Sequence, residues 1–193
     1  MSFRWHGFLA IPLGVALASC AAVAPPAPPT GTPSVEARED PSHRFITFIG
    51  PKAQHAPPFL GIPETNFYCL RSFIDHRTGE TAHQLYVTDS YLGAARGWNA
   101  ARDSTGASLP FIAIGDDEIT CDAGCSYVEE FAAKLPETTL RRNSADLAIT
   151  FSSRSGDEKT IVVPAEQITA QIAAIDLKRS PARPIAGSGT GSP

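Results

Sequence analysis

The chain has 193 residues, with 16 Lys and Arg against 20 Asp and Glu, so its formal net charge is −4. Proteins that bind nucleic acids normally display a basic stripe, and no run of Lys or Arg occurs here, which excludes a nucleic-acid partner from the expected functions. The length suffices for a single domain with its own hydrophobic core.

The first twenty residues are typical of an export signal. Arg4 precedes an apolar run over residues 8–18, which is too short to cross a bilayer of about 30 Å. The run ends in Leu17-Ala18-Ser19-Cys20, an aliphatic residue followed by two small residues and a cysteine. This motif resembles the lipobox of bacterial lipoprotein precursors. An ordinary secretory signal is the alternative, but it would not explain a cysteine at this position.

The resemblance to bacterial lipoproteins implies a location as well as a modification. Residues 1–19 would be removed as a signal peptide, and Cys20 would carry the lipid that anchors the protein to a membrane. Ala21 follows the cysteine where an aspartate would favour retention at the inner membrane. The implied location is therefore the cell envelope, facing the periplasm, at the outer rather than the inner membrane.

Both ends of the exported chain have compositions that cannot build a core. Residues 20–43 are rich in proline, which predicts an extended tether. Residues 179–193 consist mainly of Pro, Gly, Ser and Ala, which predicts a disordered tail. A single domain is therefore expected over residues 44–178.

Segments rich in β-branched and aromatic residues, bounded by Gly, Pro and polar turns, predict strands. In chain order they cover residues 44–49, 66–74, 82–88, 97–102, 109–114, 126–135, 146–152 and 160–163. The clearest alternation places Leu147, Ile149 and Phe151 on one face.

The pattern changes after these strands. Pro164 and Glu166 suit a helix N-terminus, and Ile168, Ile172 and Ile175 follow at helical spacing, which predicts a helix over residues 164–177.

Strands joined by short turns, followed by one helix, predict a mainly β fold: an antiparallel β-sandwich of about seven strands with one C-terminal helix. An immunoglobulin-like arrangement is one form of it, and a small barrel is the alternative. The stretch over residues 83–130 also resembles small envelope proteins of unassigned function, a resemblance that transfers no catalytic residue.

Three cysteines remain once Cys20 is lipidated. Cys121 and Cys125 flank a turn that contains Gly124, which predicts a local disulfide and leaves Cys69 as a free, buried thiol. Pairing of Cys69 with one of the other two is the alternative. A structural zinc site normally needs two such cysteine or histidine pairs, so no metal site is predicted.

The remaining polar residues predict no catalytic set and no cofactor. Neighbours in a strand point to opposite faces, so the paired carboxylates Glu129 and Glu130 should not converge. The acidic residues 116–118 are expected in a solvated loop, and His83 is expected at the surface or half-buried.

Three aromatic residues are candidates for a binding surface. Tyr86, Tyr91 and Trp98 are expected either to pack across strands or to form an exposed platform for a glycan or a peptide.

These observations favour a lipid-anchored envelope protein whose β-sandwich is a non-enzymatic binding or structural module. Its expected partners are the membrane, through the lipid on Cys20, and an envelope protein or peptide. The alternative is an exported enzyme or a metal/redox protein that uses the region of Cys121 and Cys125.

Overall fold

The computed structural model describes residues 34–39, 44–120, 125–142 and 145–180, without the side chains of residues 118–120. The signal peptide with Cys20, the greater part of the tether, Cys121 and residues 181–193 of the C-terminal tail lie outside the described residues.

The described chain is a mainly β, antiparallel sandwich, which confirms the predicted fold class. The larger sheet has the order β1-β2-β4-β5-β9-β8, with β3 paired to β4, and the smaller sheet has the order β11-β10-β6-β7. The strands of the larger sheet are β1 (Glu36–Glu39), β2 (Phe45–Ile49), β3 (Ala53–Gln54), β4 (Phe67–Asp75), β5 (Thr81–Leu92), β8 (Phe111–Thr120) and β9 (Ser126–Leu135). Those of the smaller sheet are β6 (Trp98–Asp103), β7 (Ser108–Leu109), β10 (Leu147–Ser153) and β11 (Glu158–Val163). Because the strands form two separate sheets, the alternative of a small barrel is wrong.

Every predicted strand is present, and three short strands raise the number to eleven instead of about seven. β3 and β7 have only two residues each, and β1 is the charged sequence Glu36-Ala37-Arg38-Glu39, so none carries a hydrophobic alternation. β1 pairs with β2 in antiparallel register and lies within the segment assigned to the tether. The ordered sheet therefore begins before residue 44.

Strand β8 differs from its predicted course. It continues through Asp116 and Asp117, which are exposed and pair in register with β9, so the expectation of a loop at this point is wrong. Its predicted start near Pro110 is confirmed, and β8 is an edge strand of the larger sheet. Proline is tolerated there because it has no N–H to donate to a ladder.

The core lies between the inner faces of the two sheets. Leu147, Ile149 and Phe151 of β10 are all buried there, which confirms the alternation read from the sequence. The rings of Phe131 and Phe151 meet edge to face with centroids 4.9 Å apart, and Trp98 lies 5.3 Å from Phe131 on another side. This aromatic cluster joins β6 and β10 to β9.

Two α-helices follow the larger sheet: α1 (Glu137–Arg142) and α2 (Ala165–Arg179). Helix α2 confirms the predicted C-terminal helix, with Ile168 and Ile175 buried and Ile172 half-buried. It packs on β2 and β4 beside the smaller sheet. No helix within the described residues is both long enough and apolar enough to cross a membrane.

A buried glutamine joins α2 to the larger sheet. The amide nitrogen of Gln171 donates to the backbone oxygen of Phe48 at 3.2 Å and to Ser72 Oγ at 3.0 Å. Gly50 makes this approach possible, because a Cβ added there would lie 3.1 Å from Gln171 Oε1 and 3.3 Å from the backbone oxygen of Leu70. A side chain at residue 50 would therefore require Gln171 or the backbone of Leu70 to shift by a few tenths of an ångström.

Candidate functional site

A cleft of about 730 Å³ lies on the face of the larger sheet that points away from the smaller one. We call it the outer cleft. Because side chains alternate between the two faces of a sheet, every second residue of three neighbouring strands points into this cleft. These residues are Phe67, Cys69 and Arg71 of β4, Tyr86, Thr88 and Ser90 of β5, and Val128 and Glu130 of β9. Strand β1 and the loop between β3 and β4 contribute to its rim.

The floor of the outer cleft is apolar and aromatic. Phe67, Cys69 and Tyr86 are 8%, 0% and 4% exposed and form a small cluster against Ile49. The rings of Phe67 and Tyr86 lie 5.9 Å apart at a tilted angle. Sites for small molecules and peptides typically combine an apolar floor of this kind with a few placed polar groups.

Charged side chains surround this floor, and two of the three cations are matched by a carboxylate. Lys52 Nζ lies 4.6 Å above the centre of the Phe67 ring and 3.1 Å from Glu64 Oε1. Arg38 Nε donates to Glu36 Oε1 at 2.8 Å. These pairs leave Arg71 as the cation of the cleft without an ion pair to a described carboxylate.

Two buried polar atoms of the outer cleft lack a hydrogen-bond partner. One is Nε of Arg71, whose guanidinium carbon lies 3.3 Å from the centre of the Tyr86 ring. The other is Oγ of Ser90, a residue that is only 5% exposed. Buried polar atoms are almost always paired, so an unpaired one calls for an explanation such as a missing ligand.

The ionisable groups of the floor are held in their neutral forms. Burial raises the pKa of the Cys69 thiol, an effect that the neighbouring Arg71 opposes. Burial also raises the pKa of Tyr86, and Glu130 raises it further. A protonated thiol and a protonated phenol are poor nucleophiles, so burial makes both side chains less reactive.

A second polar cluster lies on the inner face, where Asp89 of β5 and Glu129 of β9 are paired across the strands. We call it the inner carboxylate cluster. Asp89 accepts hydrogen bonds from Arg96 Nη1 at 2.8 Å, from Trp98 Nε1 at 3.0 Å and from Lys159 Nζ. Since Trp98 and Lys159 belong to the smaller sheet, these bonds join the two layers of the sandwich.

Glu129 binds the chain that leads into β6. Its Oε1 accepts from the backbone N–H of Arg96 at 3.0 Å, from that of Gly97 at 2.9 Å and from the hydroxyl of Tyr91. Its Oε2 accepts from the backbone N–H of Trp98 at 2.9 Å. Burial and the hydrogen bond to Glu129 raise the pKa of Tyr91, which keeps its hydroxyl a donor. Because protein donors occupy both carboxylates, this cluster stabilises the fold and does not form an open catalytic pair.

The structure places Glu129 and Glu130 on opposite faces of β9, as the alternation predicts. Glu129 is 6% exposed on the inner face, whereas Glu130 lines the outer cleft. Tyr86, Tyr91 and Trp98 are all buried, so the expectation of an exposed aromatic platform is wrong. Cross-strand packing is confirmed for Tyr86 and Tyr91, whose rings contact those of Phe67 and Tyr127 on neighbouring strands. Trp98 instead packs on Phe131 of the other sheet.

His83 is more buried than expected, with an exposure of 3%. Its Nδ1 is hydrogen-bonded to Ser72 Oγ at 2.9 Å, and its Nε2 lies 3.4 Å from Glu137 Oε2. Burial lowers the pKa of His83 although Glu137 opposes this shift. Glu137 also accepts a hydrogen bond from Arg179 Nη1 at 2.7 Å, so this network joins β5 to both helices.

Among the cysteines, Cys69 is free and buried, as predicted. Cys121 lies outside the described residues, so its disulfide with Cys125 stays a prediction. The described residues hold no group of three or more His, Cys, Asp or Glu side chains placed to bind a metal ion.

Sequence reasoning missed Arg71, Ser90 and Asp89 as site residues. A signal for Arg71 was present, because it is the only charged residue in the mainly apolar and aromatic run from Phe67 to Ile74. A charge at such a position either faces solvent or serves a site, and the sequence alone does not distinguish the two.

Comparison of the chain with protein-family models, with curated proteins and with solved structures finds no match in any of the three. The function is therefore argued from the geometry of the chain itself.

Proposed function

We propose that this chain is a lipid-anchored envelope protein whose β-sandwich is a non-enzymatic binding module, and that the outer cleft is its binding site. One observation carries the binding proposal: the cleft combines an aromatic floor with two buried polar atoms, Arg71 Nε and Ser90 Oγ, that have no partner. The sheet beneath it fixes the backbone of these residues before a ligand arrives, which lowers the entropic cost of binding.

The anchoring part of the proposal is supported by the lipobox-like sequence Leu17-Ala18-Ser19-Cys20. The lipid on Cys20 would hold the protein at the periplasmic face of the envelope, with the outer membrane favoured by Ala21. Metabolic labelling with a fatty-acid probe tests this. Cys20→Ala should abolish labelling and leave an unprocessed precursor, and unchanged labelling would refute the anchor.

The binding part is tested by filling the cleft. Val128 is half-buried on β9 and lines the cleft, so Val128→Trp should place an indole in it. Val162→Trp on β11 is the matched control, because Val162 is 48% exposed on the smaller sheet. The full chain would be immobilised in detergent, exposed to an envelope extract, and its bound peptides and small molecules identified by mass spectrometry.

The proposal predicts at least one species that the wild type and Val162→Trp retain and that Val128→Trp loses. Thermal denaturation of both variants would show that each is folded. If folded Val128→Trp retains every species that the wild type retains, the cleft is not the binding site. No described observation favours a second function, and an exported enzyme or metal/redox protein stays the alternative from the sequence.

A further inference from the structure

We propose that the Nε edge of Arg71, stacked on Tyr86, is a subsite for a carboxylate group of the ligand. This inference rests on the proposed function of the outer cleft and specifies the chemistry of its ligand.

The geometry of Arg71 leaves one part of its guanidinium for a ligand. One face is covered by the Tyr86 ring, whose centre lies 3.3 Å from the guanidinium carbon. Hydrogen bonds from a guanidinium are donated in its plane, at its edges. At one of these edges the atom Nε has no hydrogen-bond partner, although it is buried. Two parallel N–H groups at such an edge match the two oxygens of a carboxylate.

The charges of the cleft disfavour an anion with more than one negative charge. Lys52 and Arg38 pair with Glu64 and Glu36, which leaves Arg71 and the carboxylate of Glu130 as the charges of the cleft without an ion pair among the described residues. A carboxylate bound at Arg71 adds one negative charge to a cleft whose own charges balance. A phosphate group carries about 1.5 to 2 negative charges at neutral pH, and its excess charge would face Glu130 in the same cleft.

The position of Ser90 indicates that the ligand is extended. Tyr86 and Ser90 point into the cleft from the same strand and are four residues apart, a separation of about 13 Å in a β-strand. A ligand with its carboxylate at Arg71 would pass Thr88 before it reaches the unpartnered Ser90 Oγ. A peptide with a free carboxyl terminus and a smaller carboxylate share the group that Arg71 would bind, and they differ in whether they reach Ser90.

The test uses the full chain in detergent and four defined probes: sodium acetate, inorganic phosphate, and N-acetyl-tetraalanine as the free acid and as its amide. Binding would be followed by ¹H–¹⁵N correlation spectra, in which the Nε–Hε signal of Arg71 is assigned as the one lost in Arg71→Lys. The expected result is a saturable shift of this signal with acetate and with the free-acid peptide. The peptide should bind more tightly than acetate because it also contacts Ser90.

Arg71→Lys keeps the positive charge but lacks the two parallel N–H groups of the guanidinium edge. The affinity for the free-acid peptide should therefore fall by a factor of roughly ten or more. Arg102→Lys is the matched control, because Arg102 pairs with Glu158 on the smaller sheet, outside the cleft, and should bind like the wild type. The comparison of acid with amide needs no variant, so it stays informative if Arg71→Lys does not fold.

Several outcomes would overturn the inference. Equal binding of acid and amide peptides, tighter binding of phosphate than of acetate, or no shift with any probe would each refute a carboxylate subsite. Tighter binding of acetate than of the peptide would refute the extended ligand. None of these results would refute the cleft as a binding site, which depends separately on the loss of captured species in Val128→Trp.

Discussion

Replacing Glu129 with Gln tests whether the inner carboxylate cluster holds the two layers of the sandwich together. The carboxylate is 6% exposed and accepts four hydrogen bonds, three of them from consecutive backbone N–H groups at the entrance to β6. The glutamine side chain has nearly the same shape, so the substitution removes charge and one acceptor without creating a cavity.

The expected loss of stability follows from these bonds. A glutamine amide can present its oxygen to Arg96 and Gly97, but its NH₂ group then faces the N–H of Trp98, which loses its partner. A hydrogen bond to a charged group contributes about 1.5–3 kcal/mol, and a buried donor left unpaired costs about 1–3 kcal/mol. We expect a decrease of about 3–5 kcal/mol in the free energy of unfolding, which for a domain of this size lowers the melting temperature by roughly 10 °C.

Urea denaturation measures this change, and the neighbouring residue provides the control. Glu130→Gln makes the same chemical change one residue along β9, on the face that forms the outer cleft, and should cost less than about 1 kcal/mol. Hydrogen exchange gives a second, local measurement. The amides of Arg96, Gly97 and Trp98 should lose protection in Glu129→Gln and keep it in Glu130→Gln.

The reasoning is refuted if the two variants have the same free energy of unfolding within about 0.5 kcal/mol. It is also refuted if the amides of residues 96–98 stay protected in Glu129→Gln. Either result would mean that the apolar core, and not the carboxylate, positions the entrance to β6.

Three further predictions concern other parts of the chain. Burial lowers the pKa of His83 below its ordinary 6.5, so the unfolded chain binds the proton more readily and the domain should lose stability as the pH falls through that value. In His83→Gln the urea midpoint should therefore decline less between about pH 7.5 and 5.5 than in the wild type. An unchanged decline would contradict this prediction. Ile175→Ala should lower the free energy of unfolding by about 2–5 kcal/mol because the side chain is fully buried. Leu177→Ala, at a site 80% exposed, should change it little. Equal losses in the two variants would show that α2 is not docked as described. Peptide mapping without reductant should recover Cys121 linked to Cys125, and any other pairing would show the predicted disulfide to be wrong.

Local patterns predicted much of this fold because they record which face of each element is buried. Leu147, Ile149 and Phe151 alternate because one face of β10 meets the core, and Ile168 and Ile175 recur at helical spacing because one stripe of α2 is covered. Such a pattern is present in the sequence because it depends only on which face of the element is buried, and not on which other elements cover that face. They fail for short or charged strands such as β1, whose pairing with β2 depends on backbone hydrogen bonds and not on burial.

Local patterns were therefore sufficient to predict the β class, the main strands, the docked helix and the separation of Glu129 from Glu130, and the lipobox-like motif at Cys20 is visible in the sequence. Which residues meet depends on the tertiary structure. Arg71 and Tyr86 come from different strands, and their stacking depends on the register that pairs β4 with β5. Glu129 reaches the backbone N–H groups that precede β6 only because the two sheets pack face to face. Register and packing arise from contacts between residues distant in the chain, and for that reason no local pattern predicts the outer cleft.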